Sequence, residues 1–354
     1  MRLLVLYEEL AAYFMACVAE YSESTGCDVL IVAKRPNKVA PFKIEESART
    51  RIVYRDDLST SELQRLCADF DPEAIFSGGW SYAPYRKISK AYRKRIPVLL
   101  GFDNWWTGNL KQRAVQLLSP FTIRRWYNCC FVPGEQQKRF ALHMGFRPSR
   151  IATGAYCCDS SLYQRIYEET SAKREHAAPK RFLFLGRYEE EKGIRQLWSA
   201  FARFHEEFPD WELWCAGKGS IPPAQSAGVR HFGFVQPSEI INLVKDTSIF
   251  VLPSTFEPWG VVVHEMAIAG MPIITTPNVG AGYRFVNEES SGRIVETEVS
   301  DLYQAMKSIA GLDEAGFQEM ALASHAFGNS YTTRDWTSQL LALLTDTRND
   351  LRST

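Results

Sequence analysis

The stretch Glu257-Pro258-Trp259-Gly260-Val261-Val262-Val263-His264-Glu265 places two carboxylates eight residues apart. It follows the apolar run Ile249 to Leu252 and leads into a segment of helical length. The expected unit is a strand, a tight turn containing Gly260, and a helix. Such a turn leaves backbone N–H groups unpaired at the positive end of the helix, which suits a diphosphate. The two acids suit sugar hydroxyls on either side of it. A sugar nucleotide has this layout: hexose, diphosphate, ribose, base.

Outward from this stretch, apolar runs of strand length alternate with amphipathic runs of helical length. That alternation predicts parallel sheets covered by helices on both faces. In the first half the expected strands include Leu3–Tyr7, Val29–Ala33, Ala74–Ser77 and Val98–Gly101, with one long helix over Gly108–Tyr127. In the second half they include Phe182–Gly186, Glu212–Ala216, Val229–Phe232 and Pro272–Thr275. Residues 163–180 are dominated by Glu, Lys, Arg, Ala and His and read as a linker. The expected organisation is an N-terminal acceptor-binding Rossmann-like domain over 1–162, the linker, a C-terminal nucleotide-sugar-binding Rossmann-like domain over 181–330, and a last helix in 331–354 returning to the first domain.

Composition narrows the function classes. Charged residues make up 23% and hydrophobic residues 45% of the 354, ordinary values for a globular chain. No apolar run approaches the roughly 20 residues that span a bilayer. The start, Met1 to Tyr7, reads as a buried strand and not as a leader. The eight cysteines lack C-x-x-C spacing and read as buried thiols in a reducing cytoplasm, with no metal expected. Net charge is zero, but residues 1–178 hold 26 Lys+Arg against 19 Asp+Glu, and residues 179–354 hold 15 against 22. Two domains with different partners are expected, an anionic lipid surface being one candidate for the basic half.

Further motifs sit where strands end. Gly186-Arg187-Tyr188-Glu189-Glu190-Glu191-Lys192-Gly193 links a strand to an amphipathic helix. Cations are disfavoured at a helix N-terminus, so Arg187 and Lys192 there make sense beside a bound anion; they could equally be solvated charges offset by the neighbouring acids. Ala216-Gly217-Lys218-Gly219 and His231-Phe232-Gly233-Phe234-Val235 follow two more strands and allow close backbone approach to a ligand, or form plain turns. His264 should point away from Glu265, since adjacent helical residues do not share a face.

The order of these motifs resembles the C-terminal domain of the retaining glycosyltransferase family 4, the group 1 glycosyltransferases. The resemblance covers Arg181 to Gly311, and more loosely Phe131-Val132-Pro133-Gly134-Glu135 and His143-Met144-Gly145-Phe146. It implies a GT-B fold of two doubly wound Rossmann-like domains facing a cleft. It implies that Arg187 and Lys192 hold the donor diphosphate and neutralise the leaving nucleotide. Glu265 would accept from the ribose, and Glu257 would face the donor sugar. Backbone at Gly186, Pro258, Trp259, Gly260 and Val261 would meet the donor, and backbone near Val235 the base. No metal or cofactor is implied; the donor is a nucleotide-diphosphate sugar, UDP in preference to GDP.

The first half departs from the family pattern. No Gly-Gly loop follows the first strand; Glu8 and Glu9 stand there, either acceptor contacts or partners of the helix dipole. Gly101-Phe102-Asp103-Asn104-Trp105-Trp106 occupies the loop where related enzymes place a His. Asp103 is expected in the catalytic set as a donor-sugar or acceptor contact, with Trp80, Asn104 and Trp105 as candidate acceptor contacts. Basic stretches at 85–95 and 124–127 suit an anionic membrane surface, with solvated helix faces as the alternative and no nucleic-acid motif present. The expectation is a retaining, metal-independent hexosyltransferase acting on a saccharide or lipid-linked acceptor at the cytoplasmic membrane face, in surface polysaccharide or glycolipid synthesis. The rivals are a GT-B epimerase or hydrolase, and a non-catalytic sugar-nucleotide-binding protein.

Overall fold

The computed structural model describes residues 1–36, 46–176 and 178–353. The chain divides into two compact units, Met1–Cys157 with Thr332–Thr354, and Cys158–Tyr331.

The first unit is built on seven strands: β1 (Arg2–Tyr7), β2 (Asp28–Ala33), β3 (Thr50–Tyr54), β4 (Ala74–Gly78), β5 (Val98–Gly101), β6 (Cys129–Val132) and β7 (Ile151–Thr153). All pair in parallel, in the order β3-β2-β1-β4-β5-β6-β7. The central strands are buried along their length, as the continuous apolar runs require. The order reverses direction between β1 and β4. In doubly wound sheets ligands collect outside the carboxyl ends at such a reversal.

The second unit repeats the plan with six strands: β8 (Arg181–Leu185), β9 (Glu212–Ala216), β10 (Val229–Gly233), β11 (Ile249–Leu252), β12 (Ile273–Thr275) and β13 (Gly292–Ile294). They too are parallel, in the order β10-β9-β8-β11-β12-β13, with the reversal between β8 and β11. The motifs after β8 and β11 therefore leave the sheet from adjacent strands.

Two expectations are corrected, and one strand was not anticipated. Residues 163–180 are not a linker: Ser160–His176 is a helix of the second unit, with Tyr163, Ile166 and Thr170 buried at i, i+3 and i+7. The single helix over 108–127 breaks into Leu110–Leu118, a 3-10 turn at Ser119–Phe121 and a short helix at Ile123–Trp126. Pro120 lacks the N–H that continuation needs, and Thr122 leaves the helical region. The strand β13 was not anticipated, because Gly292-Arg293-Ile294 holds a single large apolar residue.

The last helix, Thr333–Ser353, is grouped with the first unit. Trp336 anchors it: the ring is 1% exposed and lies 5.6 Å from Phe131 and 6.3 Å from Phe14. Its Nε1–H donates to the Ala155 carbonyl at 3.0 Å. Trp336→Ala should cost about 3–5 kcal/mol of stability, the usual loss for a fully buried aromatic. Urea unfolding measures it; a loss under about 1 kcal/mol would mean the helix is not part of that core.

Candidate active site

In the second unit, the turn after β8 and the turn after β11 are built against each other. Gly193 starts the helix Ile194–Glu207 with φ +64°, and a Cβ there would lie 2.0 Å from the Pro253 carbonyl oxygen. Only glycine lets the helix start this close to the end of β11. Thr255 N–H then donates to the Glu191 carbonyl at 2.9 Å. The contact brings Lys192 Nζ onto Glu257 Oε2. Lys192 is 13% and Glu257 17% exposed, so this ion pair is largely removed from water. Arg187, on the same turn, is two-thirds exposed and pairs with Glu191 at 3.0 Å.

The loop carrying Glu257 is held from its other side. Glu257 N–H donates to Asn278 O at 2.9 Å, Gly280 N–H to Glu257 O at 3.1 Å, and Ala281 N–H to Trp259 O at 2.7 Å. Asn278, Gly280 and Ala281 thus frame the acidic turn. Gly260 then opens the helix Val261–Ile268 at φ +85°, without a side-chain cap. The helix beginning at Ile194 is likewise uncapped by a side chain. Two helix starts and two cations therefore share one turn assembly, an arrangement of donors suited to an anion.

Glu265 lies one turn further along the same helix. Burial pushes its carboxyl up to about 7, against a hydrogen bond from Tyr163 that favours the charged form, and with Asp159 adding repulsion. His264, the residue before it, is held by contacts of its own. Its Nδ1 accepts from Cys158 N–H at 3.3 Å, its Nε2 lies 3.0 Å from the carbonyls of Gly328 and Tyr331, and the ring stacks on Phe285. It is a buried tie between helices. The Trp259 ring is also committed to packing, 4% exposed and edge-on to Phe285, so only its backbone is open to a ligand role. Gly186 directly follows β8, where its N–H donates to Ala216 O at 3.1 Å, and Val235 lies two residues past the end of β10.

The first unit holds a cavity of about 520 Å³ at the reversal between β1 and β4. Glu8, Glu9, Trp80, Asp103 and Asn104 line it, with Tyr7, Tyr13 and Tyr156. The three phenols are hydrogen-bonded to one another through Tyr7. Burial holds all three well above the usual phenol range, and the charge of Asp103 adds to the effect. This cluster had no sequence signature, because its members come from residues 7, 13 and 156. Glu8 is engaged by Arg55, at 2.9 and 2.8 Å, and Arg55 sits 4.0 Å over Tyr82. Glu8 is therefore part of the wall. Trp80 packs edge-on to Phe102. Trp105 is not among the lining residues, and Trp106 stacks on His143 at 3.9 Å; neither ring is presented to the cavity.

All eight cysteines are buried thiols. Among the described residues no group of three or more His, Cys, Asp or Glu is placed to hold a metal ion. The one Asp-x-Asp triplet, Asp69-Phe70-Asp71, ends the helix Thr60–Phe70, and Asp71 bonds Arg2.

The profile of the family Glycosyl transferases group 1 matches residues 179–311, the segment that contains every turn described for the second unit. This segment is a group 1 glycosyltransferase domain. A glycogen synthase of Mycobacterium tuberculosis is 31% identical over 163 residues, 44% of this chain and 39% of that protein. The chain thus matches about two-fifths of that relative's length. Two solved structures resemble it over nearly the whole chain. Sucrose-phosphate synthase from Thermosynechococcus elongatus superposes with a TM-score of 0.71 at 16% identity, covering 100% of both chains. Anabaena HepE, solved with UDP and glucose, gives 0.70 at 12% identity, covering 96% of this chain and 99% of that one. The group 1 domain sits within a GT-B fold.

Glu265 yields a pH prediction. Its carboxyl titrates near 7 when folded against an ordinary value of 4.5, so between these values the folded state holds a proton that the unfolded chain has released. Stability contributed by this group is present at low pH and is lost as pH rises through about 7. Glu265→Gln should flatten that decline. Thermal unfolding of both proteins at about pH 5 and pH 8 measures it; parallel declines would show that Glu265 is not the group responsible.

Proposed function

We propose that this protein transfers a hexose-type sugar from a nucleotide-diphosphate sugar, UDP in preference to GDP, to a saccharide or lipid-linked acceptor, retaining anomeric configuration. The observation that carries the reading is the Lys192–Glu257 pair between two helix starts, inside the group 1 domain. UDP in the crystal structure of HepE supports the choice of base.

In this reading Lys192 and Arg187 meet the diphosphate and Glu257 faces sugar hydroxyls. The bond between the anomeric carbon and the diphosphate oxygen breaks, and negative charge gathers on the leaving diphosphate. Cations and helix-start N–H groups already in place stabilise that charge without reorganising. The anomeric carbon gains positive character, which Glu257 offsets from nearby. The acceptor oxygen bonds to that carbon, and its proton passes to a diphosphate oxygen. No metal is needed for these steps. Glu265 binds the ribose hydroxyls. The cavity at the β1/β4 reversal receives the acceptor, with Asp103 and Glu9 as hydroxyl acceptors and the tyrosine cluster as a ring-binding wall. The setting is the cytoplasmic face of an anionic membrane, in surface polysaccharide or glycolipid synthesis.

Lys192→Ala and Arg187→Ala should each lower turnover of a UDP-sugar by about two orders of magnitude. Asp103→Asn should act on the acceptor KM more than on the donor KM. Product analysis with and without acceptor is the measurement. Sugar released at full rate without acceptor, or full turnover in both cation variants, would refute the assignment.

A further inference from the structure

The helix Leu110–Leu118 and the turn after it are amphipathic in reverse. Leu110, Ala114, Leu117 and Leu118 fall at i, i+4, i+7 and i+8 of the helix, one stripe, and Phe121 ends the 3-10 turn that follows. That stripe faces solvent: Leu110 is 84%, Leu117 76%, Leu118 52% and Phe121 69% exposed. The inward side is fixed instead by Val115, packed on the core of the first unit, and by Ser119 Oγ, which donates to Met144 O at 2.7 Å.

The charge around the stripe has one sign. From Ala74 to Gly134 the chain carries ten Lys and Arg and a single acid, Asp103, which lines the cavity. Lys111 and Arg113 lie beside the stripe, and Arg124 and Arg125 follow it, all exposed. Arg93 is close enough to Arg124 and Arg125 that their charges add to its burial in lowering its pKa. A cation cluster that repels itself is relieved by an anionic surface.

We propose that residues 110–125 insert into an anionic phospholipid surface, Leu117 and Phe121 entering the acyl boundary while Lys111, Arg113, Arg124 and Arg125 engage lipid phosphates. The proposal rests on the reading of the acceptor as a membrane-face substrate, and it names the surface that reaches the membrane. Charge complementarity selects the lipid, and bulky apolar side chains bordered by cations are what the headgroup boundary accepts. A nucleic acid would be met by cations across the contact and would gain little from three exposed leucines.

The test is co-sedimentation of the full chain with phosphatidylcholine vesicles, with and without phosphatidylglycerol. The protein should bind only the anionic vesicles, and Leu117→Ser with Phe121→Ser should weaken binding by about tenfold or more. Arg124→Glu with Arg125→Glu should weaken it further and reduce its salt dependence. Phe121→Trp should show a blue-shifted emission on anionic vesicles. Since these side chains are exposed, thermal unfolding of the variants should match the parent. The proposal is overturned by absence of binding to anionic vesicles, by equal binding of the apolar variants, or by a preference for a duplex oligonucleotide over vesicles. Transfer to a water-soluble acceptor, assayed in parallel, keeps failure of this surface separate from failure of the transferase reading.

Discussion

The ion pair between Lys192 and Glu257 is the constraint on which the second unit's arrangement depends. Its two members come from turns that follow β8 and β11, neighbours only because the strand order reverses there. Breaking one partner of a shielded pair leaves the other uncompensated, at a cost of about 3–5 kcal/mol when burial is complete. A stability-neutral design would fill the position with apolar side chains. A pair kept this close to two uncapped helix starts stands where the proposed diphosphate would be met.

The surrounding backbone shows the same economy. Gly193 permits the helix start to touch the end of β11, and the segment Asn278 to Ala281 straps the acidic turn from the far side. The turn is thus positioned by main-chain bonds, so the Glu257 carboxylate is placed before any ligand arrives. Preorganisation of this kind is what makes electrostatic stabilisation of a leaving group effective. The first unit carries the complementary feature, a cavity at its own strand reversal walled by three phenols and an aspartate.

Much of this was legible in the residues. The alternation of apolar runs and amphipathic helices gave both parallel sheets, because strands buried on both faces read as continuous apolar runs. The ordered motifs from Gly186 to Glu265 pointed to the turn assembly, since their chemistry is local in sequence. What escaped was non-local or degenerate. The tyrosine cluster joins residues 7, 13 and 156, and no spacing rule connects them. Glu8 looked open for an acceptor, but Arg55 engages it from 47 residues away. Trp106 gave no sign that His143 would cover its ring. The stretch 163–180 looked like a linker because its composition is polar; the buried Tyr163, Ile166 and Thr170 reveal the difference only as a helical stripe.

The central claim is that the turns after β8 and β11 bind a diphosphate. Calorimetric titration of UDP and of uridine into the protein tests it most directly. The account predicts that UDP binds at least about a hundredfold tighter than uridine, a difference of roughly 2.7 kcal/mol from the phosphates alone, and that Lys192→Met removes most of that gap. Equal affinities for UDP and uridine, or a gap that survives the loss of Lys192, would contradict it.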